Sequence, residues 1–193
     1  MDNGLAIDYI NMGGIIVLNV FKKLFTRNNS ALIDARLIYL SLLKQSRKTM
    51  FYGYEKANDN YDGRIDILTL HISIVLKSLR RYDVNGKLLS QALFDVMRDD
   101  FEIAMREEGL SDTGIKRRIK PMMQLFYTRV KLYVGALEEN NFELFQDSFR
   151  KNYNIASGKF PKEISDYAFS FNSNCSDLSL GQIAKAEFVF LDF

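Results

Sequence analysis

One stretch of the sequence constrains the fold more than any other. Between residues 65 and 79, Ile65, Ile67, Leu68, Leu70, Ile72, Ile74, Val75, Leu76 and Leu79 leave almost no polar sector on a helix. A helix apolar around nearly its whole circumference is stable only when other elements surround it, so the stretch is expected to be the buried spine of the fold. The rest of the 193 residues can supply the neighbours: 47% are hydrophobic, and 2 prolines and 11 glycines interrupt few of the helical periods. The expected class is all-α, a single compact multi-helix domain with a central buried helix, and no internal repeat or second globular unit is visible.

The flanking periods fill in the layout. Leu32, Ala35, Leu37, Ile38, Leu42 and Leu43 carry a helix to about residue 45, followed by an aromatic connection with Phe51, Tyr52 and Tyr54. Residues 58–63 form a polar turn in which Asp62 is the expected N-cap of the spine. Asn85 and Gly86 read as the next turn, followed by a helix over about 88–108 that Gly109 stops in a left-handed conformation. A loop at 111–114 opens the next helix, in which Pro121 either makes a kink or begins a longer half reaching about residue 137. Further helices are expected over about 142–153 and past Pro161, where Ile164, Tyr167, Ala168 and Phe171 share a face. Residues 172–177 read as a polar loop, and the apolar ending at 188–193 as an extended segment packed on the body or on a partner.

Several chemistries are excluded by counting. Cys175 is the one cysteine and His71 the one histidine, so a disulfide framework, a Cys/His zinc site, a c-type haem attachment and a di-iron bundle all lack ligands. The single cysteine suits a reducing compartment. No Gly-x-Gly-x-x-Gly or Walker motif occurs; after the nearest spacing, Gly109 to Gly114, Ile115 stands where a phosphate-binding lysine is needed. Residues 58–69 imitate half of an EF-hand, but Asn58 opens the loop and Thr69 stands at the position of the bidentate glutamate. No metal, cofactor or catalytic residue is expected.

The amino-terminal region, residues 1–30, forms a separate expectation from the helical body at 31–193. Its apolar run is well short of the roughly 18 residues that span a bilayer. Asp2 and Asp8 precede it, unlike a secretory or mitochondrial leader. Val17, Leu18, Val20, Phe21, Leu24 and Phe25 oppose Asn19, Lys22, Lys23 and Arg27, a short basic amphipathic helix. Phe21, Lys22, Lys23 and Phe25 are its candidate membrane contacts, with packing on the body as the alternative.

Two further constellations stand out. Arg64, His71 and Ser78, spaced by seven, form a polar seam along the spine. A hydrogen-bonded core histidine joining two helices is the simpler account of His71, and a haem or quinol contact the sharper one. Between Ile115 and Lys131 there are six basic residues, Lys116, Arg117, Arg118, Lys120, Arg129 and Lys131, and no acid. The preceding helix carries Asp95, Asp99, Asp100, Glu102, Glu107 and Glu108. Either the two helices complement one another, or Lys116, Arg117, Arg118 and Lys120 face RNA, acidic lipid or an acidic partner. A net charge of +2 gives no general preference for nucleic acid, and no DNA partner is expected.

Five strings occur in order: Asp62-Gly63-Arg64; Leu70-His71; Gln91-Ala92-Leu93-Phe94-Asp95-Val96-Met97; Met105-Arg106-Glu107-Glu108-Gly109; and Ile119-Lys120 leading to Phe126-Tyr127 and Arg129. In them the sequence resembles the ubiquinol-cytochrome c chaperone family over about residues 62–137. Pro121, where a helix-favouring residue is usual, and Thr128, where a glycine is usual, depart from the pattern. The resemblance implies a non-enzymatic assembly factor for respiratory complex III that holds newly made cytochrome b, with the ribosome as a further partner of mitochondrial relatives. The acidic start suggests a bacterial version, cytoplasmic and peripheral on the inner face of the inner membrane. Phe51, Tyr52, Tyr54, Phe126 and Tyr127 are then candidate client-facing aromatics. A helical carrier of quinol or haem and an RNA-binding module are the alternatives.

Overall fold

The computed structural model describes residues 30–54, 56–150 and 162–193. The expectations for Phe21, Lys22, Lys23 and Phe25 lie outside the described residues. The described chain is helical apart from its connections and an extended ending: α1 (30–46), α2 (Tyr61–Leu79), α3 (Asp83–Glu107), α4 (Asp112–Glu138), α5 (Phe142–Arg150), α6 (Lys162–Asp177) and α7 (Leu180–Ala184). Single 3₁₀ turns at Thr49–Phe51 and Arg80–Tyr82 flank the spine segment.

α2 is the spine. It packs against α3, α4 and α6, and from Asp66 through Val75 every residue is buried. Burial on all sides forces its own polar groups to find partners. Thr69 Oγ1 donates to the Ile65 carbonyl at 2.7 Å and Ser73 Oγ to the Thr69 carbonyl at 2.6 Å, so both hydroxyls are satisfied within the helix. The carboxamide of Asn60, not Asp62, caps the helix, accepting from the Gly63 amide at 2.9 Å. Asp62 instead lies within the first turn, where its charge favours the amino-terminal end of the helix dipole.

Three further boundaries differ from the sequence expectation, each for a packing reason. Asn85 and Gly86 lie inside α3, and the chain reverses earlier, through the 3₁₀ turn. Gly86 is required there because a Cβ would sit 2.0 Å from the Leu79 carbonyl oxygen at the end of α2. α4 runs through Pro121 as one helix; the proline is exposed, so water can satisfy the carbonyl it leaves unpaired. Residues 172–177 are helical, because Cys175 continues the buried face of Phe171 one turn on. Arg81 then closes α6, donating to the carbonyls of Cys175, Ser176 and Leu178, where a cation complements the helix dipole. Gly109 stops α3 with φ +87°, as its sequence position implied.

After α7 the chain runs extended over the body. Phe188 and Phe190 pack on Phe171, and the Phe193 ring meets Phe51 edge-on at 5.6 Å. Glycine positions give a direct check on the packing. Gly86→Ala forces backbone apart and should cost on the order of 1–3 kcal/mol. Gly135→Ala, in the last turn of α4 with nothing near its missing Cβ, should gain up to about 1 kcal/mol. Chemical denaturation of the two variants checks both signs.

Candidate functional site

The polar groups of α2 organise two places of different character. The first is closed. His71 is fully buried; its Nδ1 lies 2.7 Å from the Ile67 carbonyl, so Nδ1 carries the proton and donates. Nε2 then accepts from the Tyr167 hydroxyl at 2.7 Å, and that hydroxyl accepts from Gln45 Nε2 at 3.2 Å. The relay ties α1 and α6 to the spine and is packed by Phe51, Phe171 and Phe190. Burial holds the imidazole neutral, with its pKa pulled down to about 4, and pushes the Tyr167 phenol above its ordinary value. Both ring nitrogens are used, so a haem or quinol contact would first have to break this relay.

The expected seam around His71 does not form as one unit. Arg64 is exposed and pairs with Asp59 at 2.7 Å, because the first turn of α2 projects beyond the packed body. Ser78 is buried, but its hydroxyl is not linked to His71. Cys175 is buried with its thiol pushed up to about 12 by burial, which suits a packing residue and not a redox nucleophile. Among the described residues no group of three metal-ligating side chains occurs, and the EF-hand-like loop is spent on the Asn60 cap and the Asp59–Arg64 pair.

The second place is open. The first turns of α2, the end of α3 and the middle of α4 enclose a groove of about 560 Å³. Ile65, Met105, Met122, Leu125 and Phe126 make its walls apolar, with Tyr61, Asp62, Glu108 and Arg118 at its edge. Leu125 is 46% exposed. At its floor is Arg129, whose Nε lies 2.9 Å from the Asp66 carboxylate; side-chain exposures of 10% and 2% make this a buried ion pair. The Tyr133 hydroxyl donates to the same carboxylate oxygen at 3.1 Å. Asp66 escaped the sequence reading, although a lone acid inside an apolar helix calls for a buried cation to meet it.

The candidate aromatics divide. Phe51 and Phe126 are buried, and half-buried Tyr52 donates to the Ser46 carbonyl. They pack in the protein's own core, Phe51 against His71 and Tyr167 and Phe126 against Phe94, with Phe126 also backing the groove. Tyr54 is 89% exposed and Tyr127 55% exposed, the latter stacked on Phe94 at 5.2 Å. Lys116, Arg117, Arg118 and Lys120 are all exposed, and none enters an ion pair among the described residues. The one ion pair there between α3 and α4 is Arg106–Asp112 at 3.2 Å. Asp100 and Glu102 of α3 are engaged by Tyr39 and Arg98, and no ion pair among the described residues joins an acid of α3 to Lys116, Arg117, Arg118 or Lys120.

The groove and the basic run fall within residues 55–167, which match the model of the family described as Ubiquinol-cytochrome C chaperone. The chain belongs to this family. Its fold is similar to the crystal structure of the Cbp3 homolog from Brucella abortus, with a TM-score of 0.73 at 22% identity over 91% of this chain and 97% of that one. No curated protein matches the sequence. Among the described residues no helix is long and apolar enough to cross a membrane.

Two measurements follow from the buried polar groups. An unfolded histidine binds its proton below about pH 6.5, whereas native His71 does so only near 4. Its contribution is therefore full above pH 6.5 and lost as the pH falls toward 4, about 3 kcal/mol in all. Denaturation curves across that range should be steeper for the wild type than for His71→Gln. Removing one partner of the buried ion pair, as in Arg129→Met, should cost about 3–5 kcal/mol, and Asp66→Asn/Arg129→Met together less than the sum; a double-mutant cycle reads this directly.

Proposed function

We propose that this member of the family is an assembly chaperone for ubiquinol-cytochrome c reductase that holds newly synthesised cytochrome b. The observation that carries the reading is the family match across residues 55–167, which takes in both the apolar groove and the basic run. The physical requirements agree. A chaperone for a membrane subunit needs an uncovered apolar surface and a reversible anchor, and no catalytic constellation.

On this reading Lys116, Arg117, Arg118 and Lys120 face an anionic surface, and Tyr54 and Tyr127 are the exposed aromatics available to a partner. The chain would act at the inner face of a bacterial inner membrane, its residues 1–30 adding a second weak contact through Phe21, Lys22, Lys23 and Phe25. Two or three basic residues contribute only about 1 kcal/mol each at a lipid surface, so the attachment would be reversible. The ribosome fits as a second anionic partner for the same cations.

The test is a crosslinking pull-down of the tagged protein from native membranes, alongside a variant with Lys116, Arg117, Arg118 and Lys120 all changed to Ala. Recovery of cytochrome b with the wild type supports the reading, and a loss that is reproduced by raised salt assigns the contact to these cations. Recovery of no complex III component, together with normal complex III in cells lacking the protein, overturns it.

A further inference from the structure

The groove floor has an unusual donor. Arg129 forms its ion pair with Asp66, yet none of its guanidinium N–H groups makes a hydrogen bond among the described residues, and its buried Nε is without one. A guanidinium carries five donors in a fixed fork, so a near-buried arginine lining an apolar groove retains capacity for an acceptor brought in from outside. The walls around it select what can bring that acceptor. Met105 and Met122 are flexible and polarizable and can adapt to varied apolar shapes, and Ile65, Leu125 and Phe126 add fixed apolar surface.

We infer that the groove receives the end of an apolar helix of the client, and that Arg129 caps its terminal carbonyls. A helix leaves its last four carbonyls without intrahelical partners, and these neutral acceptors suit an apolar slot whose base is a charge-balanced pair with guanidinium N–H groups to spare. At the edge the acids Asp62 and Glu108 outnumber Arg118, which disfavours an anionic ligand and leaves an uncharged acceptor as the better occupant. The arrangement also explains why α4 presents Leu125 to solvent one turn from Arg129: the two positions, spaced by four, point into the same slot. This inference rests on the chaperone reading and assigns that reading its contact site.

The test places a photo-crosslinking amino acid in the full-length protein, in native membranes, at Leu125 in the groove and separately at Leu40, an exposed apolar position on α1 far along the chain. We expect the Leu125 probe to give adducts to the end of a hydrophobic segment of a complex III membrane subunit, with the Leu40 probe giving none. Asp66→Asn/Arg129→Gln, which removes both charges together and withdraws the side chain from the slot, should lower the yield about tenfold, the loss expected for a charge-assisted hydrogen bond. Thermal denaturation confirms that this variant is folded, and where it is not, Leu125→Glu is the replacement, expected to abolish the adduct from a probe at Met122. Adducts to the same subunit at Leu40 but not at Leu125 overturn the groove assignment while leaving the chaperone reading intact. An unchanged yield in the folded variant overturns the role of Arg129. Adducts to no complex III subunit from either probe overturn both.

Discussion

The burial of α2 from Asp66 through Val75 governs the rest of the structure. A helical segment with no solvent-facing side has nowhere to send its polar side chains, so each one must be answered by a neighbour or by its own backbone. Thr69 and Ser73 take the second course. Asp66 and His71 take the first, and in doing so fix where the neighbours stand: Asp66 draws Arg129 and Tyr133 from α4, and His71 draws Tyr167 from α6. Apolar packing alone would tolerate a shift of one turn between these helices. Two directional contacts on the same rod do not, because a slip that relieved one would leave a desolvated charge or an unpaired ring nitrogen at the other.

The same constraint explains what was legible in the sequence. The spine announced itself through composition around the helix, and the class of fold followed. The stop at Gly109 and the buried face of Ile164, Tyr167, Ala168 and Phe171 were equally plain, since each depends on local chemistry or simple periodicity. What sequence could not separate was decided by distant contacts. Nothing local distinguishes Phe51 and Phe126, which are buried, from Tyr54 and Tyr127, which are not. Asn85-Gly86 looks like a turn, and it takes the nearness of the Leu79 carbonyl to make Gly86 a helix residue chosen for its missing side chain. The polar run at 172–177 looked like a loop because its one buried residue, Cys175, is easily lost among serines and asparagines.

The groove was illegible for a related reason. Its walls come from three segments far apart in sequence, and its members, Met105, Met122 and Leu125 among them, resemble any apolar positions on amphipathic helices. Two clues were nevertheless present. Asp66 is the sole acid in the spine's apolar stretch, and Arg129 belongs to a basic run that contains no acid of its own. Their pairing joins the structural centre of the molecule to its open surface, so the residue that anchors α4 to the core also forms the base of the slot.

The relay through Tyr167 has a sense that cannot be inverted. A carboxamide nitrogen at Gln45 only donates and the carbonyl of Ile67 only accepts, so every hydrogen between them must point the same way. The interior thus admits one tautomer and one hydroxyl rotamer. A reversible proton conduit needs two arrangements of nearly equal energy, and this one has none: the chain of polar groups at the heart of the protein acts as a fixed brace, leaving adaptability to the methionines at the groove.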